Sequence, residues 1–130
     1  MNPITVQQAQ YARLATDAAG AAVRAAVADV IPALDLDTPL PGDLFLAFRS
    51  RPIGGQSHDM RPVVSEWWVY DVRSQGTARI DSTIALIQAA YPRTALPYAE
   101  TVITQIGQPA IDAALNRLTR FVQLTSYTRG

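Results

Sequence analysis

The residue types best suited to chemistry gather in one stretch, IGGQSHDM, residues 53 to 60. His58 is the only histidine, and it stands between Ser57 and Asp59. The trio has the composition of a nucleophilic relay, in which a base takes the serine proton and a carboxylate orients the base. Neighbours in sequence cannot build one, because the three groups must converge from different directions. His58 therefore reads as a solvent-exposed loop histidine. Glu66 and Glu100 are the only glutamates. Glu66 could be a buried acid, but such a residue more often lies at a sheet margin and pairs with arginine. Asp35 and Asp37 are spaced like oxygen ligands, yet no acidic residues continue a calcium-loop pattern, so they read as turn formers. No cysteine is present, which removes disulfides, thiolate metal sites and cysteine nucleophiles together. The expectation is a protein without catalysis, cofactor or metal.

Gly54-Gly55-Gln56 is similar to the tripeptide of peptide-release factors, but three residues in a glycine-rich loop match by chance, and nothing else here resembles those proteins. A phosphate cradle would need GxxxxGK[ST] between a strand and a helix, and the chain has no lysine. More informative is the loop as a whole. Residues 51 to 62 carry Arg51 and Arg61 around a tip containing Gln56 and His58. A dozen residues without structure in a small domain are usually functional or disordered. They read as an arm that orders on a partner, the arginines meeting acidic groups.

The elements that position this loop follow from periodicity. Residues 5 to 31 contain no proline and favour helix, as one long helix or as two broken near Gly20 and capped by Thr16 or Asp17. Val6, Leu14, Val23, Val27, Val30 and Ile31 supply the apolar stripe. Residues 32 to 43 hold three prolines and connect. Strands are expected at 44–50 and 63–74, joined as a hairpin by the loop, with a helix at 76–92 ended by Pro92. A strand follows at 100–107, then a loop or short helix at 109–118, and a last strand at 120–129. The fold class is α+β: an antiparallel sheet of about four strands with helices on one face, in the order α-β-β-α-β-β, forming a single domain over 1–130.

Two adjacent tryptophans in VVSEWWVYDVRS must point to opposite faces of their strand. Val64, Trp68, Tyr70 and Val72 make the more apolar face and are assigned to the core, interrupted by Glu66. Trp67 and Val69, with Phe45 of the preceding strand, then leave an apolar patch on the opposite face. Either the N-terminal helix or another subunit covers it.

Arginine and acidic residues number eleven each, so the net charge is zero and there is no footprint for a dedicated nucleic-acid binder. No secretory signal or membrane-length apolar run is apparent, and a soluble protein used inside a cell is expected. The order of elements, the stretch WWVYDVRSQGTARIDSTIALIQAAYP and the tail ETVITQIG…RFVQLTSYTRG resemble the tail terminator proteins of long-tailed bacteriophages. The resemblance implies a non-enzymatic virion protein, assembled in the host cytoplasm. Its subunits would form a hexameric ring that caps the tail tube, ends its growth and joins the head-side connector, with DNA passing through the lumen. Phe45, Trp67 and Val69 would then line the subunit interface, and Arg51, Gln56, His58 and Arg61 would reach toward tube or lumen. Other connector-ring proteins such as head-completion proteins are rivals. So are a dimeric ferredoxin-like ligand binder, a cofactor-free enzyme and a regulatory adaptor.

Overall fold

The computed structural model describes residues 3–16, 18–31, 39–52, 62–96 and 99–128. Two helices open the chain, α1 (Pro3–Thr16) and α2 (Ala18–Ala26). Gly20 explains why they fold back on one another. A Cβ there would fall 2.6 Å from both the Arg13 carbonyl oxygen and the Leu14 Cα, so only glycine admits the approach. Arg24 Nε donates to the Leu14 carbonyl, satisfying an acceptor at the end of α1. Asp17, one of the two expected caps, lies outside the described residues.

Val30 and Ile31, expected to finish the helical stripe, leave it and form a short strand, β1 (Val30–Ile31). Both are β-branched, and they pair in parallel with Leu46 and Ala47 of β2 (Phe45–Pro52). β2 turns back into β3 (Pro62–Val72), the two being antiparallel with Phe45 opposite Tyr70 and Pro52 opposite Val63. The strands claim residues 51, 52 and 62 from the expected loop. A 3-10 turn (Arg73–Gln75) leads to α3 (Ala78–Ala90), which buries Ile80, Ile84 and Ile87 as their spacing requires and stops before Pro92.

Three strands close the chain: β4 (Ala99–Ile106), β5 (Ala110–Asp112) and β6 (Arg117–Thr128). The region 109–118, expected as loop or short helix, contains β5 and a tight turn. The Asp112 side chain accepts from the Leu115 amide at 3.1 Å, and Asn116 takes φ 54°, a left-handed conformation that asparagine tolerates. These local bonds override the helical preference of the alanines. In β4 the register shifts between Ile103 and Gln105, so Ile103 and Ile106 face the same side although plain alternation would oppose them.

Among the described residues the sheet therefore has six strands rather than about four, in the order β1-β2-β3-β6-β4 with β5 also against β6. It is mixed, because β1 runs parallel to β2. The order of elements is α-α-β-β-β-α-β-β-β, and the fold remains α+β. β6 lies between β3 and β4, so α3 crosses over an intervening strand. The main core joins Leu14, Val23, Val27 and the α3 isoleucines to Leu46, Phe48, Trp67, Val69, Val122 and Leu124.

Candidate functional site

The side of the sheet that faces the helices is closed by aromatic packing and by a polar seam. Trp67 is fully buried, its ring 4.5 Å from Phe48 and 6.2 Å from Tyr11 between centroids. Its indole Nε1 donates to Tyr91 Oη at 3.1 Å, and Tyr91 Oη donates to the Gln10 carbonyl at 2.5 Å. Burial pushes the Tyr91 phenol well above its ordinary pKa, so it stays protonated. Beside it the fully buried Gln10 amide donates to Ser126 Oγ at 2.6 Å and accepts from Ser65 Oγ. Thr101 Oγ1 and Ser126 Oγ lie 3.0 Å apart. The hydroxyls of this seam spend their bonds on one another and on Gln10, with no imidazole or carboxylate among these partners. It fixes α1 to the sheet.

This arrangement reverses the expected faces of β3. Trp67 and Val69 belong to the chain's own core and are not available as an interface. The helix face of β3 carries Ser65 and Asp71 as well, which lowered its apolar count. Both are satisfied from the helices. Ser65 meets Gln10, and the fully buried Asp71 accepts from Arg79 through Nε at 2.9 Å and Nη2 at 2.5 Å. That hydrogen bond raises the Arg79 pKa above its ordinary value.

On the far face Phe45 is indeed turned away from the helices, but its own chain covers it. It stacks on Tyr70 with centroids 4.9 Å apart, and Leu40, Ile31, Leu115 and the half-buried Trp68 complete the cluster. Phe121 continues the aromatic run 4.9 Å from Trp68 and lies over Gly107, where a Cβ would sit 2.3 Å from its ring. Trp68 Nε1 donates to Glu66 at 3.3 Å, placing Glu66 on this face and opposite Arg49 in register.

Of the expected partner-contacting residues, Arg51 lies in β2 opposite Val64. Gln56, His58 and Arg61 fall outside the described residues, as do Asp35 and Asp37. The apolar side chains that are exposed were not singled out by composition: Val102 and Tyr127 on the far face near the β4 edge, and Ile111 on β5. Their signal was the alternation of β4 and β6, with Val102 and Tyr127 on the face opposite Ile103 and Ser126.

Two small clefts lie among the described residues. One, of about 210 Å³, is lined by Tyr11, Leu14, Arg24, Ala28, Asp29 and Val30. The other, of about 260 Å³, lies by Leu44, Arg79 and Thr83. Tyr11 Oη donates to the Val30 carbonyl at 3.2 Å, the Asp29 carboxylate accepts from the Val30 amide, and Arg79 holds Asp71. Among the described residues no three potential metal ligands converge, and no helix is long and apolar enough to cross a membrane.

No family model matches the chain, and no curated protein matches its sequence. Solved structures do align. One, known by a bare sequence identifier, superposes with a TM-score of 0.63 at 17% identity, covering 95% of this chain and 93% of that one. A second is a chain from the virion of a native gene transfer agent particle, with a TM-score of 0.62, 15% identity and coverage of 95% and 94%. Alignments this complete at such low identity establish that the fold is shared from end to end.

Proposed function

We propose that the protein is a structural virion component of the tail-terminator type, a ring subunit that caps the tail tube, ends its growth and joins it to the head connector. One observation carries the reading. The whole fold, not a fragment of it, matches a chain from the virion of a gene transfer agent particle, covering nearly all of both chains. The resemblance of WWVYDVRSQGTARIDSTIALIQAAYP and of the tail ETVITQIG…RFVQLTSYTRG to tail terminators supports the same assignment. The role needs no enzymatic activity, cofactor or metal. Its partners are further copies of itself, the tail tube protein and the head-side connector, and DNA traverses the lumen without sequence readout. The corrected faces change what the ring can use. Trp67, Val69 and Phe45 are already buried within one subunit, so contacts between subunits fall to sheet edges, rims and loops.

The test is the mass of the purified protein by light scattering, with negative-stain images of the same fraction. Rings with a central hole are the expected result, either alone or after addition of tail tubes. A stable dimer that ignores tail tubes would overturn the reading.

A further inference from the structure

Two acidic and two basic residues stand at separate places along one rim of the sheet. β1, β2 and β6 begin at this rim, and β3 ends there. Asp29 directly precedes β1 and Asp43 lies just before β2, whereas Arg73 follows β3 and Arg117 opens β6 opposite Val72. The acidic pair therefore occupies the β1–β2 flank and the basic pair the β3–β6 flank. Strand spacing separates the two flanks by about 10 Å.

The basic pair is distinctive among the arginines whose side chains are described. Arg79, Arg93 and Arg120 each meet a carboxylate, and Arg13 and Arg24 donate to backbone carbonyls. Arg73 has only Asn116 Oδ1, at 3.3 Å. Arg117 reaches the carbonyls of Leu115 and Asn116 at 3.4 Å each, and its buried Nε has no acceptor. Asp112 stands opposite Arg117 in register, yet its carboxylate is turned to the Leu115 amide and forms no ion pair with the guanidinium. Two guanidinium groups thus converge on one asparagine without a carboxylate. On the other flank, among the described residues, the Asp29 carboxylate accepts from the Val30 amide at 2.8 Å and Asp43 acts on Arg79 through space, and neither forms a salt bridge.

We infer that the basic corner formed by Arg73 and Arg117 docks the acidic corner formed by Asp29 and Asp43 of a second copy, head to tail around the ring. The inference rests on the ring reading above. Guanidinium forks match carboxylates in geometry as well as charge. Each subunit presents both halves of the contact, which is what a closed heterologous ring requires. Two cations on a chain of zero net charge are too few to hold a nucleic-acid backbone, but enough to fix the register of a protein contact.

Charge exchange tests this. The variant R73E/R117E makes both flanks acidic, and D29R/D43R makes both basic. Assembly is read by light scattering at low and high salt, with tail tubes added if the wild type needs them, and folding by circular dichroism. Each variant alone should lose ring formation, with at least tenfold weaker association. An equimolar mixture should restore rings, in which the two variants alternate, and salt should weaken them. If both variants form wild-type rings on their own, the charge contact is overturned while the ring reading stands. If the wild type never forms rings and the mixed variants do not associate, the ring reading itself falls, and this inference with it. Should Arg117→Glu fail to fold, Arg73→Glu, on an exposed side chain, carries the same mixing test with D29R/D43R.

Discussion

Trp67 and Trp68 differ by one position and by almost everything that sets their energetic worth. Trp67 is enclosed by Tyr11, Phe48 and Tyr91 and spends its N–H on Tyr91, so Trp67→Ala leaves a cavity and takes one of two hydrogen bonds from the Tyr91 hydroxyl. The expected loss is about 3–5 kcal/mol in urea unfolding. Trp68 is half-buried among Phe121, Tyr70 and Glu66, and its truncation should cost roughly 1–2 kcal/mol, since less apolar surface returns to water. Equal losses would contradict the two-faced packing. Tyr91 supplies a pH signature. Its folded pKa is raised, so the stability it contributes is complete below the ordinary phenol value of about 10 and falls as pH climbs beyond it. Melting temperatures of the wild type should drop from pH 10 upward. Tyr91→Phe should flatten that drop while lowering stability at pH 8 by about 1–2 kcal/mol, because the Trp67 N–H and the Gln10 carbonyl lose their partner.

At the scale of elements, Gly20 sets two preferences against each other. Alanine would favour the helix by about 1 kcal/mol, but its Cβ would meet the backbone of α1 at 2.6 Å. Backbone cannot swing aside as a side chain can, so Gly20→Ala should lower the melting temperature. A rise would mean that α1 and α2 do not touch there. The same glycine shows what the sequence could and could not convey. It suggested a break that falls just before α2 begins at Ala18, and Pro92 marked the end of α3, because such residues act locally. The face of β3 was illegible for the opposite reason. Ser65 and Asp71 look like surface residues until Gln10, from the far N-terminal helix, and Arg79, from the first turn of α3, bond them. Pairing of β6 between β3 and β4 is likewise a long-range outcome, as is the bulge that realigns Ile103 with Ile106. β1 escaped notice because two residues carry no periodicity. The exposed Val102 and Tyr127 stand on the outer face that alternation along β4 and β6 gives them.

For the whole molecule, the proposed roles separate into folding, ring closure and contact with the tube, and the β2–β3 hairpin allows the last to be tested alone. The two strands are aligned by eight cross-strand pairs from Phe45–Tyr70 to Pro52–Val63, and β3 is also held along its other side by β6. Their register thus depends on packing rather than on the chain that joins them. Replacing residues 54–60 by Asn-Gly removes Gln56 and His58 while shortening the connection. The change in loop-closure entropy is about 1 kcal/mol or less, so urea unfolding should be almost unchanged. Arg73, Arg117, Asp29 and Asp43 lie at the opposite end of these strands, at the rim where β2 begins, and ring formation should survive as well. What should disappear is the capping of tail tubes, seen as tubes that grow past their normal length in a reconstituted assembly. Tubes that stop at the wild-type length would remove the arm from the mechanism and move the tube contact to the rims. Loss of the rings themselves would show that the loop closes the ring instead.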